Sequence, residues 1–204
     1  PPTNTLNYKK FELSDFIYTT NKINNLAVNN IYSIQNNTIY SIPYNFKYLL
    51  ELDLNVTPPL LKINDITKNK DVNANLFTVF MNQPINGRFN CSIIVTNKLY
   101  IVPYIDSYNS DISITIYPFI IYDFINNNIV IKDLKSLIND DIYPQTGAKL
   151  FCAILFYSIS TIQYLFLIKK NAASCLSYNI NNSGLKIINF IHDPSNKKYS
   201  DGYI

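Results

Sequence analysis

Tryptophan is absent from this chain of 204 residues, and several other residue types are nearly so. Methionine occurs only at Met81, arginine only at Arg88, histidine only at His192 and glutamate only at Glu12 and Glu51. Each shortage closes a class of chemistry. With one imidazole, a metal site built on two or more histidines is excluded. A histidine-based triad would have to use His192, which sits in Ile191-His192-Asp193-Pro194 and reads as a turn residue. The four glycines, Gly87, Gly147, Gly184 and Gly202, lie too far apart for a phosphate loop or a dinucleotide fingerprint. No helix–loop–helix calcium loop is present. Three cysteines, Cys91, Cys152 and Cys175, make no disulfide framework. Cys91 and Cys152 lie in apolar runs and read as small buried hydrophobes, which favours a reducing compartment.

Few catalytic candidates survive. Cys175, in Ala173-Ser174-Cys175-Leu176, is the only partner for His192 worth naming, and no local signature supports the pair. Paired carboxylates occur at Asp140-Asp141 and at Glu51 with Asp53. The second pair shares a strand face but alternates with apolar residues, as a solvated face does. No catalytic, cofactor-binding or metal-ligating residue is therefore assigned, and the chain is expected not to be an enzyme.

Charge is also scarce. Charged residues make up 15% of the chain, against about 25% in an ordinary soluble domain. The 17 Lys and Arg against 14 Asp and Glu leave a formal charge of +3. The lysines fall in scattered pairs, Lys9-Lys10, Lys68 and Lys70, Lys169-Lys170 and Lys197-Lys198, not along one basic track. Nothing here points to nucleic acid.

What is present is Asn, Ile, Tyr and Phe, with 17 tyrosines and 12 phenylalanines. Part of this bias follows AT-rich codons. Scarce Glu, Ala and Met remove the usual helix builders, while β-branched and aromatic residues favour strands. Ten prolines mark turns, and Asn must take many of the left-handed turn positions that four glycines cannot fill. Glycosylation-type triplets begin at Asn36, Asn55, Asn90 and Asn181, about the number chance predicts for so Asn-rich a chain. Tyr100, Tyr104, Tyr108 and Tyr117 could form a stacking platform for sugars or bases. The simpler reading is that tyrosine serves throughout as a general large residue.

Along the chain, residues 1–25 are polar, open on Pro1-Pro2-Thr3 with no signal-peptide pattern, and read as an extended N-terminal arm. Strand signals then run to residue 191, and 192–204 form a polar tail. Gln35-Asn36-Asn37 is a hairpin loop between Ala27–Ile34 and Thr38–Asn45. Tyr48–Thr57 alternates, with Tyr48, Leu50, Leu52, Leu54 and Val56 on an apolar face and Leu49, Glu51, Asp53, Asn55 and Thr57 on a wet one. Residues 62–75 are the most charged segment and read as an exposed loop. Asn86-Gly87 predicts a tight hairpin between Leu76–Gln83 and Arg88–Val95. Thr96-Asn97-Lys98 and Asn126-Asn127-Asn128 are further turns, and Pro118 breaks a run. Neither an internal repeat nor heptads stand out.

The longest uncharged run is Leu150–Ile168, bracketed by Lys149 and Lys169-Lys170. Its length suits a membrane helix. Its middle, Tyr157 to Tyr164, is polar, and it is rich in strand formers, so two paired core strands, Lys149–Ser158 and Thr161–Lys170, are expected instead.

These observations predict one all-β domain over 26–191, an antiparallel β-sandwich or jelly-roll-like barrel. The expected role is a structural, assembly-type protein such as a virion or capsid subunit. It would pack against other protein subunits through sheet surfaces and the arm, in a virion or the host cytoplasm. The alternatives are a carbohydrate- or receptor-binding module using Tyr and Asn, with a glycan as ligand, and a membrane-anchored protein with Leu150–Ile168 as its span. No cofactor is expected.

Overall fold

A computed structural model describes residues 32–41, 48–66, 74–83, 88–104, 116–137, 151–169 and 174–189. The arm at 1–25 and the tail at 192–204 lie outside them. The described chain is all-β, in three antiparallel sheets of four strands each. The first holds β1 (Tyr32–Gln35), β2 (Thr38–Ser41), β3 (Tyr48–Asp53) and β4 (Leu60–Asp65). The second holds β5 (Phe89–Val95), β6 (Lys98–Pro103), β7 (Pro118–Asp123) and β8 (Asn128–Asp133). The third holds β9 (Phe151–Ile159), β10 (Ile162–Lys169), β11 (Ser174–Asn179) and β12 (Leu185–Asn189). In each sheet the strands lie side by side in chain order, an up-and-down meander. The first strands of the three sheets are neighbours in space, with β5 touching both β1 and β9.

Asparagine and its relatives make the turns, as glycine scarcity requires. Asn36 and Asn37 both take positive φ, 49° and 56°, the signs of the tight hairpin turn that suits twisted strands. Asn127 does so at 47°. Thr96 at 55° and Ser160 at 53° do the same without the side-chain advantage Asn has there.

The apolar run behaves as paired strands. Phe151–Ile159 and Ile162–Lys169 form a hairpin about Ser160-Thr161, with Tyr157 opposite Tyr164 and Leu155 opposite Phe166. Leu165 and Leu167 are fully buried. Among the described residues no helix is long and apolar enough to cross a membrane.

Three expectations need correction. Residues 76–83 are not half of a hairpin but most of helix α1 (Ala74–Asn82). Phe77 and Phe80 fall on one helical face with Met81, at the i, i+3, i+4 spacing, and bury against Phe89 with ring centroids 6.2 Å away. Packing therefore overrides the strand preference of Phe, Thr and Val. Arg88 supports the helix end, its Nη2 donating to the Gln83 carbonyl at 2.6 Å. Second, the expected loop from 62 begins instead with β4, whose Lys62 pairs with Glu51 at 3.8 Å. The strand expected to resume after Pro118 is β7, which Pro118 itself opens, a position where its missing N–H costs nothing.

Third, the faces of β3 are not as the alternation suggests. The strand stops at Asp53, leaving Leu54 44% and Val56 42% exposed. Its Leu49–Glu51 face turns inward to the second sheet, where Tyr40 stacks on Phe124 at 4.4 Å and Glu51 lies near Tyr122. Lys62 and Asn64, from the neighbouring strand, satisfy the Glu51 carboxylate at 3.8 and 3.1 Å, which lets a charged residue face inward.

The second sheet is the centre of the molecule. Leu99, Ile101, Ile120 and Tyr122 bury its one face towards the first sheet; Tyr100, Phe119 and Ile121 bury the other towards the third. Tyr178 of β11 meets Tyr100 at 6.0 Å and Phe119 edge-on at 5.2 Å. Lys132 Nζ lies 5.9 Å from the centre of the same ring.

Candidate functional site

The three sheets share more than topology. At the end of the third strand of each stands Asp53, Asp123 or Asn179. Asp53 Oδ1 accepts the Asn55 N–H at 2.9 Å, Asp123 Oδ1 the Ile125 N–H at 3.0 Å, and Asn179 Oδ1 the Asn181 N–H at 2.9 Å. These are Asx turns, in which a short polar side chain stands in for a backbone carbonyl. The next residue, Leu54, Phe124 or Ile180, then donates its N–H across to the first hairpin, to the carbonyls of Asn37, Asn97 and Gln163, each at 2.9 Å. Asn55 and Asn181 add a side-chain clasp, reaching Asn36 O at 2.9 Å and Thr161 O at 3.1 Å. Strand two carries an aromatic residue, Tyr40, Tyr100 or Phe166, at matching places, each opposite the residue two before the Asx turn. The chain thus contains a threefold structural repeat, which the sequence pattern conceals.

This matching defines two faces on each sheet. The forward face carries Tyr40, Leu49 and Glu51 in the first sheet, Tyr100, Phe119 and Ile121 in the second, and Tyr164, Cys175 and Ser177 in the third. The rear face carries Leu50 and Leu52, then Ile120 and Tyr122, then Leu176 and Tyr178. The forward face of the first sheet packs on the rear face of the second, and the forward face of the second on the rear face of the third.

The forward face of the third sheet is the candidate site. Leu155 is 48% exposed, Tyr157 50% and Ile159 52%, all on β9, and Ile162 on β10 is exposed beside them, while Ile168, Cys175 and Ser177 on the same face are buried. Tyr157 and Tyr164 both lie 6.3 Å from Phe166, centroid to centroid, so three rings form a row across β9 and β10. Singly exposed apolar residues are ordinary, but a contiguous set on one sheet face marks an interaction surface.

The candidates from sequence fall elsewhere. Tyr100 and Tyr104 are buried and Tyr117 is half-buried, so they offer no platform to a ligand; Tyr108 lies outside the described residues. The exposed aromatic row is on β9 and β10, inside the run that sequence reasoning assigned wholly to the core. Asp53 and Glu51 are occupied by the turn and by Lys62. Burial pushes the Cys175 thiol up, and the neighbouring Lys169 offsets this only in part, so no ready thiolate forms. His192, Asp140 and Asp141 lie outside the described residues. Among the described residues no group of three or more His, Cys, Asp or Glu could hold a metal.

Comparison with known proteins adds no relative: no protein-family model and no curated protein matches the chain.

Proposed function

We propose that this chain is a non-enzymatic structural subunit that assembles through the faces of its β-sheets, of the kind that builds a virion shell. The observation that carries this reading is the apolar patch of Leu155, Tyr157, Ile159 and Ile162 on the forward face of the third sheet, which meets solvent with the same residue types that bury the internal sheet contacts. Two further features support it. Among the described residues Asp53 serves a turn, Glu51 an ion pair with Lys62, and the Cys175 thiol is buried, which accords with a role played through surface burial. Face-to-face contact between antiparallel sheets supports assembly through sheet surfaces, and a sandwich-type packing and the arm at 1–25, as a segment reaching a neighbour, belong to the same proposal. Assembly in a virion or the host cytoplasm accords with cysteines that form no framework.

Light scattering coupled to size exclusion, without detergent, tests the reading. The mass of the particle is expected to rise with protein concentration. A monomer at every concentration would overturn it, and glycan binding lost in Tyr157→Ala would then assign the exposed row to a carbohydrate.

A further inference from the structure

We propose that the β9–β10 hairpin is a docking finger for a second copy of this chain, the outer edges of the two β9 strands pairing antiparallel about a twofold axis at Tyr157. This rests on the assembly reading and deepens it: the partner is the chain itself, and the contact is the strand edge beside the exposed patch.

The hairpin is longer than its counterparts. In all three sheets the N–H that follows the third strand reaches a matching carbonyl of the first hairpin, at Asn37, Asn97 and Gln163. In the first two sheets the next residue forms the last rung, Thr38 with Gln35 and Lys98 with Val95. In the third sheet the matching rung is Tyr164 with Tyr157, and two more follow, Gln163 with Ser158 and Ile162 with Ile159. At about 3.4 Å per residue, this hairpin projects roughly 7 Å further than the others. Asn181 braces the added rungs. Its Oδ1 accepts the Gln163 N–H at 2.9 Å, and its Nδ2 donates to the Thr161 carbonyl at 3.1 Å. The extension adds little to the core. Phe151 is buried and Ile154 packs against the core, but every residue from 155 to 162 is exposed. Leu155, Tyr157, Ile159 and Ile162 lie on one side and Phe156, 41% exposed, on the other, so the finger is apolar on both.

Edge and charge identify the occupant. Among the described residues β9 has one strand partner, β10, so alternate N–H and C=O groups of its second half point outward. Natural proteins blunt such edges with charge. The strands at the opposite end of each sheet follow that rule: β4 carries Lys62 and Asp65, β8 carries Lys132 and Asp133, and β12 carries Lys186. Phe151–Ile159 carries no charge. It is also self-complementary. Antiparallel pairing centred on Tyr157 sets Leu155 against Ile159, Tyr157 against its own copy and Phe156 against Ser158, so apolar residues meet along one face and no like charges are opposed. The open edge then gains the backbone bonds of strand addition. Leu155, Phe156, Tyr157 and Ile159, each about half exposed, bury roughly 800 Å² over both copies together with the paired backbone. This is below the standard size, so association is expected to be reversible and concentration-dependent. A twofold contact is closed and ends at a dimer.

The test uses variants of the full chain in size-exclusion light scattering, with far-UV circular dichroism to check that each folds. The wild type is expected to pass from monomer to dimer mass as concentration rises. Tyr157→Lys sets two ammonium groups against each other at the axis and should weaken dimerisation by on the order of tenfold or more. Leu155→Lys replaces it if it does not fold. Ile125→Lys, at a 72% exposed site in the β7–β8 turn, should dimerise as the wild type does. Tyr157→Cys reads the axis itself. Paired Cα atoms there lie about 4.5–5.5 Å apart, within reach of a disulfide, so diamide should cross-link that variant. Ile162→Cys, three strand spacings from its copy, should cross-link no more than the wild type. Wild-type-like dimerisation by the lysine variants would overturn the proposal and leave the assembly reading standing. So would a Tyr157→Cys variant that cross-links no more than the wild type. A wild type that stays monomeric would overturn both, and its flotation with phosphatidylcholine vesicles, lost in Tyr157→Lys, would assign the finger to a lipid surface instead.

Discussion

Replacing Phe119 with alanine is expected to remove about 3–5 kcal/mol of stability, the cost of emptying a large aromatic site in a packed core. Phe119 is fully buried at the contact between the second and third sheets, its ring 5.2 Å from Tyr178 and 6.1 Å from Tyr100. Those rings come from both sheets, so neither can close the gap without moving against its own strand neighbours. A domain has only about 5–15 kcal/mol in hand, so the variant should sit near the edge of unfolding. Urea unfolding followed by circular dichroism measures the loss as a lower midpoint with an unchanged slope. Ile125→Ala is the control. Ile125 is 72% exposed in the β7–β8 turn, and its loss should change stability by no more than about 0.5 kcal/mol. Equal losses in the two variants would mean that the sheet contact is not where the core energy lies.

The second large effect is alkaline unfolding. Burial, reinforced by Glu51 and Tyr40, pushes the Tyr122 hydroxyl up to about 12. Burial also raises Tyr100 and Tyr178. An unfolded tyrosine ionises near pH 10. Below that pH the hydroxyl is neutral in both states, and its protonated form favours neither. As pH climbs from about 10 to about 12 the unfolded chain loses its proton while folded Tyr122 keeps it, so stability falls across this window. A shift of this size corresponds to on the order of 2–3 kcal/mol for Tyr122 alone, and the other two tyrosines act in the same direction. In Tyr122→Phe the fall with pH should be shallower by one proton. The variant should also lose about 1 kcal/mol at neutral pH, because the Tyr122 hydroxyl donates to Asn127 Oδ1 at 2.9 Å. An unfolding free energy flat from pH 9 to 12 would contradict the burial of these rings.

Much of the fold was legible in residue types, and less in order. Lack of helix formers and abundance of Ile, Phe and Tyr pointed to strands. The polar middle of the 150–168 run pointed to a hairpin, and the strands turn at Ser160-Thr161. The Asn36-Asn37 turn followed from Asn standing in for glycine. Helix α1 was hidden because Phe77-Thr78-Val79-Phe80 carries strand formers at a spacing that also fits a helix, and only the partner Phe89 decides between them. The threefold repeat was hidden for a different reason. Its determinants are an Asx residue, a following apolar residue and an aromatic residue one strand back (Tyr40, Tyr100 and Phe166), and the apolar positions vary among Leu, Phe and Ile. Loops of different length separate them, so the pattern emerges only when the Asp53, Asp123 and Asn179 turns are superposed in their hydrogen bonds. The candidate face was concealed by its own hydrophobicity. Phe156 and Tyr157 read alike in composition and point to opposite faces, and both are exposed, so only the packing tells that the second half of β9 is left uncovered.

The account stands on three like sheets stacked in one direction, with the second covered on both faces. Amide hydrogen exchange on the wild-type chain tests this most directly, since protection follows burial and pairing. The account predicts the slowest exchange in β6 and β7, the inner strands of the central sheet, and the fastest among strands in β4 and β12 at the outer edges. Equal protection across all three sheets, or the slowest amides in β9–β12, would contradict it.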